Sequence, residues 1–214
     1  MASPSILPYV PAAAPRERPA LDGAALGALF TDARTHAAWL PRPVEPALLQ
    51  RAYELARMGP TGGNASPLRI TFVVSPEAKA RLLPAVAEGN LEKVRTAPVT
   101  AVLAWDRTFW EKLPQLFPAR PEMRDRLAGL PPPVQERLGH QSAYLGAGYF
   151  ILAARALGLD CGPLGGFDPA AVDAAFFPDG AWGSLLLCNL GYGDPAQLHP
   201  RLPRLAFSEA CRIE

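Results

Sequence analysis

Residues Gly158-Leu159-Asp160-Cys161-Gly162-Pro163-Leu164-Gly165-Gly166 decide how the chain folds. Gly158 stops the helix before it, since glycine takes the left-handed turn at a helix end without steric cost. Asp160 to Leu164 then reads as a short strand, and Gly165-Gly166 leaves backbone that a flat ligand can approach closely. The segment before Gly158, Glu136 to Leu157, is the strongest helix of the chain. It is apolar on most sides through Tyr144, Leu145, Ala147, Tyr149, Phe150, Ile151, Leu152, Ala153 and Ala154. A helix of that kind is expected to be buried all round, often in an interface.

Further toward the C-terminus, Asp168-Pro169 starts a helix through about Phe176, and Leu185 to Leu190 is an apolar strand ending at Gly191. Toward the N-terminus, Asp22 caps a short helix bearing Leu26, Leu29 and Phe30, which gives way between Thr35 and Trp39. Glu45-Pro46 opens a helix with an apolar face from Leu48 to Ala56, stopped by Gly59-Pro60. The loop Pro60-Thr61-Gly62-Gly63-Asn64-Ala65-Ser66-Pro67 follows, and Arg69 to Ser75 is a β-branched and aromatic strand. Ser75-Pro76-Glu77 has the cap, proline and acid of a helix start, with a helix to about Val86. Val99 to Trp105 is nearly continuous in apolar residues, the pattern of a strand covered on both faces. Trp110 to Pro133 is irregular, with short helical pieces at most. Helices alternating irregularly with buried strands predict an α+β layer fold with a central sheet, one domain over residues 21–214 behind a Pro-rich arm at 1–20.

The chain has 214 residues with 18 Gly and 25 Pro, an excess that rules out a long coiled coil or uninterrupted bundle. Lys and Arg number 21 against 20 Asp and Glu, so no field draws nucleic acid. Cys161, Cys188 and Cys211 have neither disulfide-framework nor zinc spacing, which fits a reducing cytoplasm. No apolar run reaches the ~20 residues of a membrane span, and residues 1–20 lack the pattern of a signal peptide.

Gly191-Tyr192-Gly193-Asp194-Pro195-Ala196 matches the letters G-x-G-x-x-A but not their context. Pro195 falls inside the motif, and too few residues remain for a helix and a second strand. No G-x-S-x-G or H-E-x-x-H motif is present, His36, His140 and His199 are scattered, and no metal site is expected. Three features remain. They are the Pro60 to Pro67 loop, the Gly162 to Gly166 turn, and arginines near both ends: Arg34 and Arg42, then Arg201 and Arg204. The loops suit close backbone approach to a flat ligand, and the arginines suit a phosphate.

In this order the three features resemble the flavin-dependent nitroreductase superfamily. The first motif stands as Arg34-Thr35-His36-Ala37-Ala38-Trp39 and the last as Arg201-Leu202-Pro203-Arg204, with the two loops between them. Five phrases resemble the malonic semialdehyde reductase branch of pyrimidine degradation. They are Leu29 to His36, Gly89 to Lys93, Thr96 to Ala101, Ala154 to Asp160, and Ala174 to Phe177.

The resemblance implies an α+β homodimer with interlocking subunits, a central mostly antiparallel sheet flanked by helices, and non-covalent FMN at the interface. By the same resemblance, Arg34 and Thr35 hold the phosphate and ribityl side, and Arg201 and Arg204 complete the phosphate clamp. Thr61, Gly62, Gly63 and Asn64 face the flavin ring, while Pro163, Leu164, Gly165 and Gly166 lie along it. Ala37 stands where the family has a second basic residue, and Ser66 replaces a glutamine.

NADPH or NADH would supply hydride to FMN, and the bound flavin, rather than a catalytic side chain, would pass it to malonic semialdehyde, giving 3-hydroxypropanoate. Arg107, Arg120, Arg124 and Arg126 are the candidates for the substrate carboxylate, and Tyr144 and His140 could reach a pocket. A broad nitroaromatic, quinone or enal reductase and a non-catalytic flavin-binding dimer are the alternatives.

Overall fold

The computed structural model describes residues 19–214, so most of the expected N-terminal arm lies outside the described residues. The first half holds α1 (Gly23–Leu26), running into a π turn at Gly27–Thr31, then α2 (Pro46–Ala56), β1 (Leu68–Val73), α3 (Pro76–Leu82), α4 (Leu91–Thr96) and β2 (Val99–Asp106). The second half holds α5 (Leu113–Leu116), α6 (Met123–Ala128), the long α7 (Pro132–Ala156), β3 (Asp160–Leu164), α8 (Pro169–Phe176), β4 (Trp182–Gly191) and α9 (Phe207–Ala210).

The helix starts follow their capping chemistry. Asp22 accepts a hydrogen bond from the Ala25 N–H at 2.8 Å, Ser75 from Ala78 at 3.2 Å, and Asp168 from Ala170 at 2.9 Å. Each of these side chains satisfies a backbone donor that the first helical turn leaves unpaired.

The four strands form one sheet in the order β1-β2-β4-β3, every neighbouring pair antiparallel. A single parallel bridge, Thr35 to Cys161, adds the segment after α1 to this edge. β2 is buried along its whole length. Its side chains alternate between two cores, as strand geometry requires. Val99, Ala101 and Leu103 face α2 and α7 with Leu49, Ala52 and Phe150, while Val102 and Ala104 face α3, α4 and α8 with Leu82, Val94 and Val172. The α+β layers expected from the sequence are present.

Two expectations need correction. The sequence pattern predicts no element between Val86 and Val99, where α4 forms. α7 starts at Pro132 and is not buried all round. Its buried stripe is Gly139, Ala143, Gly146, Ala147, Phe150, Ala153 and Ala154, whereas Tyr144, Leu145 and Tyr149 are 49%, 45% and 39% exposed. Small residues line the buried stripe because the sheet's side chains come close: a Cβ on Gly139 would lie 2.5 Å from the Trp105 ring. Much of the outer face is apolar and exposed, although Tyr144 donates to the Leu185 carbonyl at 3.3 Å and Tyr149 lies against Gly59.

Candidate functional site

The segment after the π turn runs against the start of β3 and the end of β4. The His36 N–H donates to the Cys161 carbonyl at 3.1 Å, Leu40 to Tyr192 at 2.8 Å, and Asp194 to Ala38 at 3.0 Å. Three glycines make room for it. A Cβ on Gly162 would lie 2.4 Å from the His36 carbonyl oxygen, one on Gly191 would strike Pro98 and Trp39, and one on Gly193 would strike the His36 ring. The glycines of Gly191-Tyr192-Gly193 thus serve packing. His36 is buried, its Nε2 lies 3.4 Å from Asp160 Oδ1, and the other oxygen of Asp160 accepts the Gly193 N–H at 2.8 Å.

This packing delivers Arg34 and Thr35 to the wall of a cavity of about 1100 Å³. Arg201, Arg204, Lys93 and Arg155 line the same cavity. The ends of the chain are stitched together there. Arg34 donates to the His199 carbonyl, and Arg201 Nη2 donates to the carbonyls of Thr31 at 2.7 Å and Ala33 at 3.0 Å. Arg34, Thr35, Arg201 and Arg204 thus line one cavity. Arg42 does not join them, because its guanidinium stacks on the Tyr192 ring, 3.7 Å from the centroid.

Pairing separates these cations from six of the fourteen others among the described residues. Arg51, Arg69, Arg95, Arg107, Arg120 and Arg124 are each paired with a carboxylate. Among the described residues Arg34, Lys93, Arg155, Arg201 and Arg204 have no such pair. Five uncompensated cations around one cavity favour an anionic ligand, with guanidinium geometry suited to phosphate.

Lys93 and Arg155 were not among the sequence candidates. Lys93 Nζ donates to Asn90 Oδ1 at 2.9 Å, and Asn90 Nδ2 donates to the Gly166 carbonyl at 3.2 Å. The cavity is thereby joined to the Pro163 to Gly166 turn. A Cβ on Gly166 would lie 2.4 Å from Asn90 Nδ2, so only glycine leaves room for that amide. The Gly166 N–H has no acceptor among the described residues. Lys93 puts a cation near the turn although Ala37 carries none. The signal was present as Asn90-Leu91-Glu92-Lys93, an Asn and a Lys three apart on one helical face. Arg155 donates to the Leu29 carbonyl at 3.1 Å.

The Thr61 to Asn64 loop lies elsewhere. Gly63, Asn64 and Ser66 have φ of 60°, 56° and 43°, left-handed backbone that favours the Gly and Asn found there. The Gly62 N–H donates to Ser142 Oγ at 3.2 Å, and Asn64 Nδ2 donates to the Leu116 carbonyl at 2.7 Å. Ser142 and Arg155 are separated by roughly 20 Å of helix at 1.5 Å per residue. One chain does not bring this loop to its own cavity.

Among the described residues no helix is long and apolar enough to cross a membrane. Residues 32–192 match the profile of the nitroreductase family. The chain belongs to that family. It is 54% identical, over 91% of its length and 98% of the other, to a protein of Leptothrix cholodnii described as a candidate NADH dehydrogenase/NAD(P)H nitroreductase. Among solved structures it resembles a candidate nitroreductase in complex with FMN from Exiguobacterium sibiricum. The TM-score is 0.78 and the identity 20%, over 92% of this chain and 99% of that one. It also resembles CLA-ER, an enone reductase of gut-bacterial fatty acid saturation, with a TM-score of 0.75 and 18% identity over 88% and 97% of the two chains.

Proposed function

We propose that the chain is an FMN-dependent oxidoreductase that uses NADPH or NADH to reduce malonic semialdehyde to 3-hydroxypropanoate. The cavity with five uncompensated cations carries the cofactor reading. Arg34, Thr35, Arg201 and Arg204 would hold the phosphate, Asn90 and Lys93 the polar edge of the ring, and Pro163 to Gly166 its face. The free Gly166 N–H is available to a ring nitrogen. FMN supplies hydride-transfer chemistry when bound, and the protein contributes orientation and fixed positive charge. The FMN-containing relative of the same fold and the NAD(P)H in the names of close relatives support both parts of this reading.

The working unit is a homodimer in this proposal. The Thr61 to Asn64 loop is held far along α7 from its own cavity, so the loop of a second copy would complete the site. The outward apolar face of α7 supplies a surface for that copy, as do Leu202, Leu205 and Phe207 of the tail, each more than 60% exposed. Three free cysteines suit a cytoplasmic setting.

For the substrate carboxylate, three of four candidate arginines are already committed. Arg107 pairs with Asp173, Arg120 with Glu122, and Arg124 with Glu111 and Asp125. Arg126 has no carboxylate partner among the described residues and is the proposed anchor. Tyr144 lines an apolar groove on the outer face of α7, and His140 stands edge-on to Trp105 at 4.9 Å between centroids. Neither contributes to the basic cavity.

A second reading, a broad reductase of nitroaromatics, quinones or enals, is favoured by the enone reductase of the same fold. Turnover of malonic semialdehyde, a nitroaromatic and a quinone under one set of conditions separates the two. A kcat/KM highest for malonic semialdehyde supports the first reading, and a preference for either other substrate supports the second.

A further inference from the structure

α4 carries Lys93 and directly follows Asn90, yet it is only six residues long. A helix that short does not persist by itself. Its last four carbonyls, from Lys93 to Thr96, have no partners within the helix. Two side chains from other elements supply donors at this end. Asn189, fully buried on β4, donates Nδ2 to the Lys93 carbonyl at 3.0 Å. Its Oδ1 accepts the hydroxyl of Thr100, fully buried on β2, at 2.7 Å. Lys79 of α3 donates its ammonium to the Arg95 carbonyl at 3.3 Å and to that of Ala97, just past the helix.

A buried amide and hydroxyl inside a sheet cost stability unless their hydrogen bonds are made. Here the hydroxyl serves the amide, and the amide serves one helix carbonyl. Neither Asn189 nor Thr100 lines the basic cavity. From Thr100 the contacts run in an unbroken line through Asn189, the Lys93 backbone, the Lys93 ammonium and Asn90 to the Gly166 carbonyl.

We propose that Asn189, oriented by Thr100, is a positioning residue for the cofactor: it fixes α4 so that Lys93 and Asn90 stand in register with the Gly165-Gly166 turn. The inference rests on the FMN reading and extends it to two residues inside the sheet. Its consequence is selective. Loss of the cap leaves Arg34, Arg201 and Arg204 in place while loosening the charge at the edge of the ring.

The test uses FMN-loaded protein and two binding measurements. One is the Kd for FMN, and the other is the Kd for sulfite, which adds to oxidised flavin more tightly when positive charge stands beside the ring. Asn189→Leu and Lys93→Met should each raise the sulfite Kd, by about ten-fold for the loss of one charge-assisted contact, and the double variant should be no worse than Lys93→Met alone. Thr100→Val should move it in the same direction, while the FMN Kd changes by less than about three-fold. Should Asn189→Leu fail to fold, Thr100→Val decides, since it removes a hydroxyl and keeps the shape. An unchanged sulfite Kd in a folded variant, or additive effects of Asn189→Leu and Lys93→Met, overturns the proposal. Wild-type protein that binds no FMN overturns both the cofactor reading and the inference. Wild type that binds FMN with sulfite affinity insensitive to these changes overturns the inference alone.

Discussion

Gly193 lies so close to His36 that a Cβ on it would stand 1.9 Å from the imidazole Nδ1. His36 is buried and its ring lies within reach of Asp160, whose other oxygen holds the Gly193 N–H, so neither partner can move alone. Gly193→Ala therefore displaces the segment that carries Arg34 and Thr35. Overpacking of this kind costs about 1–3 kcal/mol. A thermal melt should show Tm lowered by roughly 2–12 °C for a chain of this size, together with weaker FMN retention on gel filtration.

The phosphate clamp predicts a difference between two ligands that share a ring. Arg201→Ala and Arg204→Ala should each raise the Kd for FMN by at least about ten-fold, the value of a charge-assisted contact. The Kd for riboflavin, which lacks the phosphate, should change by less than about two-fold by the same reasoning. Fluorescence titration of apoprotein with both compounds measures this. Equal losses for the two would place these arginines away from the phosphate.

Arg126→Ala should raise KM for malonic semialdehyde by about ten-fold and leave KM for a neutral nitroaromatic unchanged. Steady-state kinetics with both substrates is the check. A parallel loss for both would mean that Arg126 shapes the cap instead of binding the carboxylate.

His140 provides the pH dependence. Burial pushes its pKa down, the charge of Arg107 adds to that, and Glu136, 3.7 Å away, opposes it. The unfolded chain, with a pKa of about 6.5, then binds the proton more readily than the folded one. Stability contributed by the neutral ring is present above about pH 6.5 and is lost as pH falls through the folded pKa. Urea denaturation at about pH 7.5 and pH 5 should show a larger drop in midpoint for the wild type than for His140→Gln. An equal drop would show that folding does not lower the pKa of His140.

How much of this could be read from the residues depended on whether the cause was local. Asp22, Ser75 and Asp168 announce helix starts because their caps act within three residues. Val99 to Trp105 reads as a central strand because both its faces are apolar. α4 was missed since its C-terminal donors come from Asn189 and Lys79, which no window of sequence contains. Arg34 and Arg201 could be paired from the sequence only by resemblance, and the hydrogen bonds of Arg201 to Thr31 and Ala33 show how the ends meet. Arg155 went unnoticed because it ends an apolar run that reads as packing. The outer face of α7 departs from the pattern for a related reason: Tyr144, Leu145 and Tyr149 are apolar yet only partly covered by the described residues.

The most direct measurement is the absorbance of purified protein, reconstituted with FMN, under anaerobic titration with NADPH or NADH and then with malonic semialdehyde. The account predicts a yellow protein whose flavin band bleaches with the nicotinamide and returns with the aldehyde, as 3-hydroxypropanoate forms in equal amount. A protein that stays colourless with added FMN, or whose bound flavin does not respond to either nicotinamide, would contradict it.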